Sequence, residues 1–278
     1  MTRGLMWSIL GIFLAVTITS TMDATGLLAF SALPLFPLIV LFWFLQRFSR
    51  IETGFVWGVA RPYLLAMLYP LLVIGILLLT AAMSGAIGTA HTDWRKAGLN
   101  LALVSVSTVL VAIITEEGFF RGWLWASLRR TGMQPIWVLV ASSLAFSLWH
   151  WSAVVFDTGF NPSPTQIPVF MVNAAVMGAI WGFLRWISGS VIVSSVSHGF
   201  WNGMAYVLFG FGKKAGALGV ANTALFGPEI GILGLALNAA FAVVLFLWWR
   251  RAQAVEMASP NVASEPHHTR GRLASPVS

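Results

Sequence analysis

Residues 115–123, Thr-Glu-Glu-Gly-Phe-Phe-Arg-Gly-Trp, place two carboxylates and a guanidinium inside an apolar run. No charged residue occurs from Leu99 to Ile114, and Glu116 and Glu117 stand side by side in a chain with only nine acidic residues. On a helix Glu117 and Arg121 are at i and i+4, so they share a face and can pair. Glu116 lies about 100° around the same helix and is free to point into a cavity, where a carboxylate can serve as a general base. A buried ion pair that fixes packing would account for Glu117 and Arg121. It would leave Glu116 without a reason.

Two further segments carry candidate chemistry. Phe146-Ser147-Leu148-Trp149-His150 puts Phe146 and His150 one above the other on a helix face. A histidine there can bind a metal, orient water or exchange protons, or it can be an interhelical hydrogen-bonding group. His198-Gly199-Phe200-Trp201-Asn202 repeats the i, i+4 spacing with His198 and Asn202. Two donors on one face can hold a developing negative charge, or they can join helices. Ser194, Ser195 and Ser197 favour close helix approach, and Asn173 and Asn238 read as packing residues. Counted from the inner ends of their spans at about 1.5 Å per residue, Glu116 lies roughly 20 Å deep, His150 roughly 22 Å and His198 roughly 14 Å. Similar depth is what one buried polar site requires.

The elements that must position these residues are membrane helices. The chain is 58% hydrophobic and 9% charged, with 20 Phe and 14 Trp. Soluble domains carry about 25% charged residues. Apolar runs near 5–21, 27–46, 62–88, 97–128, 135–156, 167–185, 189–209 and 230–249 are each long enough for a span. The pattern predicts an all-α polytopic membrane protein of about eight transmembrane helices around a buried polar site. Residues 1–251 form the bundle, and 252–278, rich in Ala, Ser, Pro and His, read as a disordered tail. Arg3, Arg47, Arg50, Arg61, Arg129, Arg130, Arg185, Arg250, Arg251, Arg270 and Arg272 fall on one side, and Arg95, Lys96, Lys213 and Lys214 on the other. That bias predicts both termini cytoplasmic, and the plasma membrane is the expected location.

Several classes are excluded. The net charge of +7 is scattered between apolar runs and forms no basic stripe, so membrane lipid, and not nucleic acid, is the expected surface partner. With no cysteine there is no thiolate nucleophile or thiolate metal site. HExxH, Gly-x-Ser-x-Gly and a membrane-embedded Asp pair are all absent.

Taken together and in order, Glu116-Glu117 to Arg121, Phe146 to His150 and His198 to Asn202 resemble the CPBP family. This is the CAAX protease and bacteriocin-processing (Abi) family of intramembrane proteases, with its pattern EExxxR, FxxxH and HxxxN or HxxxD. The resemblance covers about residues 97–209. It implies an intramembrane endopeptidase in which Glu116 activates water together with His150, and Glu117 helps hold His150. His198 and Asn202 would stabilise the oxyanion, and Arg121 would be a structural counter-ion. The family is often described as metalloproteases, and Glu116, Glu117, His150 and His198 could ligate zinc or another divalent metal. A carboxylate–histidine pair also activates water without metal, and that reading is preferred. The expected partner is a peptide or protein substrate, free or membrane-anchored. Two other functions fit buried ionisable groups: a non-catalytic immunity or scaffold protein, and a proton-coupled transporter.

Overall fold

The computed structural model describes residues 3–90 and 92–258. The chain forms two units, one ending at Ala242 and one beginning at Val243. Every residue discussed below lies in the first. Among the described residues the second consists of the C-terminal part of one helix.

The helices are α1 (Arg3–Ala24), α2 (Leu35–Gln46), α3 (Arg50–Thr53), α4 (Arg61–Met83), α5 (Trp94–Ile114), α6 (Trp125–Arg129), α7 (Pro135–Trp149), α8 (Trp151–Val155), α9 (Gln166–Ser188), α10 (Val191–Met204), α11 (Thr223–Phe226) and α12 (Ile232–Ala258). A two-residue antiparallel pair, β1 (Gly210–Phe211) and β2 (Lys214–Ala215), is the sheet present among them. The helix α12 runs through 252–258, which the sequence assigned to the tail; residues 259–278 lie outside the described residues.

Seven helical segments among the described residues are long and apolar enough to cross a membrane. The sequence predicts about eight spans, and the difference is at 189–209. That segment is α10 continuing into a π-helical turn, Ala205–Phe209, so it is helical as expected. Its serines, His198 and Asn202 lower its apolarity, and it is buried on nearly every side by protein. A helix that carries the polar groups of a site belongs inside the bundle, where other helices satisfy them.

Glycine sets how closely α10 approaches. A Cβ on Gly199 would stand 2.6 Å from Ser105 O and 2.7 Å from Val109 N of α5. One on Gly203 would overlap Ser105 Oγ. The pair, four residues apart, brings the two backbones together as small residues do in membrane bundles. It also sets His198 and Asn202 beside the end of α5.

The predicted span 97–128 is not one regular helix. At Thr115, φ −120° and ψ −103°, the α-helix stops, and Gly118–Leu124 continues as a π-helix before α6. The Thr115 hydroxyl donates to Val111 O at 2.7 Å, a local bond that competes with the regular ladder. Gly118 is needed because a Cβ there would press on Ile113 O. Arg185 of α9 donates through Nε to Arg121 O at 3.1 Å and satisfies a carbonyl of the widened turn. The two glutamates fall at this irregularity, the kind of helix defect that recurs at functional sites.

Candidate active site

Glu116 and Glu117 follow the break in α5, and they diverge. Glu117 is fully buried. Its Oε1 lies 3.2 Å from Arg121 Nη1, also fully buried, and 3.1 Å from His198 Nδ1. Arg121 donates from Nη2 to Gly178 O at 3.1 Å, and its Cζ lies 4.2 Å from the centroid of the Phe146 ring. The guanidinium is thus enclosed by a carboxylate, a carbonyl and an aromatic face, which together compensate a buried charge.

Glu116 points elsewhere. Its Oε2 lies 3.9 Å from His150 Nε2 and 3.9 Å from His198 Nε2. The other nitrogen of each ring is already engaged. His150 Nδ1 donates to Phe146 O at 2.9 Å, and His198 Nδ1 donates to Glu117 Oε1 at 3.1 Å. These partners assign the proton of each neutral imidazole to Nδ1 and leave Nε2 with a lone pair. One carboxylate oxygen and two basic nitrogens therefore face a common point. The rings are held flat and firm: His198 stacks on Trp181 at 4.1 Å and 13°, and His150 meets Phe146 edge-on at 4.4 Å.

The three groups line a cavity of about 710 Å³. Asn202, buried one turn after His198, lines it too. All five catalytic candidates and the counter-ion predicted from sequence are thus gathered around one place, and two relations differ: His198 gives its N–H to Glu117 and has none for the oxyanion expected of it, and the histidine that Glu117 holds is another. The resemblance implies that Glu117 holds His150, whereas Glu117 holds His198. His150 is instead fixed by the carbonyl of Phe146, one turn earlier on its own helix. The reason is the break after Ile114, which turns Glu117 towards α10.

The donors in this cluster are of a kind that zinc accepts, but their spacing is not. Catalytic zinc keeps three protein ligands at about 2.0–2.1 Å, which sets tetrahedral donors about 3.4 Å apart. Glu116 Oε2 is farther than that from both nitrogens, and Glu117 Oε1 is engaged by Arg121 and His198. Among the described residues no group of three such side chains is placed to hold a metal ion. No chemical step is therefore assigned to one.

Two acidic residues lining the same cavity were not singled out in the sequence: Asp23 at the end of α1 and Glu229 in the connection before α12. Each falls just outside an apolar run and reads as a loop charge. Asp23 Oδ2 accepts from Ser152 Oγ at 2.6 Å, and one turn back Thr19 accepts from Trp149 Nε1 at 2.8 Å. The pair joins α1 to the helices on either side of His150. Burial pushes the Glu229 carboxyl up to about 7, against the opposing effects of Trp201 N–H and His198.

The family model described as type II CAAX prenyl endopeptidase Rce1-like matches residues 98–204. No curated protein matches the chain. The matched stretch begins in α5, ends with α10 and contains every member of the Glu116–His150–His198 cluster. Residues 98–204 of this chain are thus similar to the CAAX protease (CPBP) family.

Proposed function

We propose that this integral membrane protein is an endopeptidase that hydrolyses a peptide bond with water activated by Glu116. The observation that carries the reading is the approach of Glu116 Oε2 to two imidazole nitrogens, His150 Nε2 and His198 Nε2, at 3.9 Å each. A water at their common point donates both its protons to this set. Glu116 takes one proton as the oxygen attacks the carbonyl carbon. The carbon–oxygen bond forms, and the carbonyl oxygen becomes an oxyanion facing the Asn202 amide. On collapse the carbon–nitrogen bond breaks, and Glu116 returns its proton to the departing amine. Glu117 and Arg121 do not touch the reacting atoms in this scheme. They hold His198 in the tautomer that leaves Nε2 free.

The substrate is a peptide or protein segment presented at the membrane, and the orientation with both termini cytoplasmic, at the plasma membrane, belongs to the same proposal. The test uses the purified chain in proteoliposomes with dye-quenched peptides and mass analysis of the products. Cleavage by the wild type, with Asn202→Ala lowering kcat about 10²–10³-fold and leaving KM nearly unchanged, is expected. Equal kcat in Asn202→Ala would remove the oxyanion role. Absence of any cleavage, together with pH-gradient-driven uptake of solute, would replace proteolysis with transport.

A further inference from the structure

The mechanism above uses one acidic group of the cavity, Glu116, and leaves Glu229 without a task. Glu229 lies outside the family-matched residues 98–204 and is set on the cavity wall by a closed circuit of buried and half-buried polar contacts. Tyr69 Oη donates to Asn238 Oδ1 at 2.8 Å, and Asn238 Nδ2 donates to Asn173 Oδ1 at 2.9 Å. Asn173 Nδ2 donates to the carbonyls of Pro228 and Glu229 at 2.9 and 3.0 Å. Glu229 Oε1 accepts from Trp201 Nε1 at 3.1 Å, and the Trp201 ring stacks on Tyr69 at 5.3 Å and 8°, which closes the circuit. Four helices thus cooperate to fix one short connection and its carboxylate.

Packing alone does not need a charge there. A glutamine would accept the Trp201 N–H equally well and would avoid placing an anion in a low-dielectric wall. The direct hydrogen-bond donors to Glu229 are neutral, and it forms no ion pair among the described residues. Asp23, nearly fully buried and lining the same cavity, adds a second carboxyl group. Lys213 and Lys214, lysines that line the cavity, are exposed on the β1–β2 hairpin and form no ion pair with either among the described residues. The interior of the cavity is therefore acidic beyond what water activation requires, and a cation brought by the ligand would complete it.

We propose that Glu229 is the specificity determinant of this cavity and accepts the ammonium or guanidinium group of a lysine or arginine in the peptide substrate. Calling that peptide a substrate rests on the endopeptidase reading, so the test measures binding apart from cleavage. Full-length Glu116→Gln protein in nanodiscs is titrated with dye-labelled leucine–alanine peptides carrying one arginine, norleucine or glutamate at successive positions. At one position the arginine peptide should bind about tenfold or more tightly than the norleucine peptide. Adding Glu229→Gln should abolish that ratio and leave the norleucine Kd unchanged, Glu229→Asp should retain part of it, and Lys213→Ala with Lys214→Ala should leave it intact. Equal Kd values for arginine and norleucine at every position overturn the proposal, and this comparison needs no Glu229 variant to fold. So does a preference that survives Glu229→Gln, or a loss that is equal for all peptides. Selective binding without cleavage by the wild type would count against proteolysis and leave the cation site standing.

Discussion

His198 is held at one nitrogen by Glu117, Nδ1 to Oε1 at 3.1 Å, while its other nitrogen faces the neighbouring glutamate. Two adjacent carboxylates thus act on the two sides of one ring. The first fixes tautomer and orientation, and the second faces the other nitrogen at 3.9 Å. The break in α5 before Glu116 is what allows consecutive residues to address opposite edges of the same imidazole.

Glu117→Ala removes the counter-charge of a fully buried Arg121 and the anchor of His198 together. Breaking a buried pair from one side costs about 3–5 kcal/mol. A large loss of thermal stability is expected, measured by unfolding in detergent, and Glu117→Ala combined with Arg121→Met should recover part of it. A single substitution as stable as the wild type would show that the pair carries no structural load.

The approach of α10 to α5 leaves no room at Gly203. Gly203→Ala should lower stability by about 1–3 kcal/mol, as overpacking does. Because the displaced helix carries His198 and Asn202, cleavage should fall with it, whereas Gly75→Ala on α4, where a Cβ meets open space, should change neither. Equal behaviour of the two alanine variants would contradict the close-approach argument.

Glu229 gives a pH dependence whose sign can be worked out. Burial holds its folded pKa at about 7, above the usual carboxylate value. Below about pH 4 the group is protonated in both states and its stabilising contribution is fully present. As pH rises the unfolded chain releases the proton first, so that contribution is lost progressively up to the folded pKa. Glu229→Gln does not titrate. The variant should therefore gain stability relative to the wild type between about pH 5 and pH 8, read from paired thermal unfolding curves. Parallel curves at both values would show that the carboxyl is not perturbed.

Metal removal separates two chemistries. If Glu116 and the two histidines suffice to activate water, prolonged treatment with a strong chelator should leave the cleavage rate within about twofold of its starting value. Loss of activity by a hundredfold or more, restored by zinc, would put a bound metal at this cluster in spite of its spacing.

Much of the fold was legible because a membrane leaves few choices. Long apolar runs give helices, and charges within them draw attention by their cost. The i, i+4 spacings of Glu117–Arg121 and His198–Asn202 carried the site for the same reason. Helix irregularity was not legible. Thr115 and Gly118 look ordinary in sequence, yet they end the α-helix and open the π-turn, and so exchange the histidine that Glu117 holds. Asp23 and Glu229 were missed because their role depends on which helix ends meet. The expected packing role of Asn173 and Asn238 has a more specific form, since both belong to the circuit that fixes Glu229.

The most direct test of the water-activation mechanism is the cleavage rate of Glu116→Gln against the wild type on the same dye-quenched peptide in proteoliposomes, with thermal unfolding as the control for folding. A fall in kcat of about 10²–10⁴-fold at unchanged stability is expected for loss of a general base. A folded Glu116→Gln protein that cleaves at the wild-type rate would contradict the assignment of Glu116 as the group that takes the proton from water.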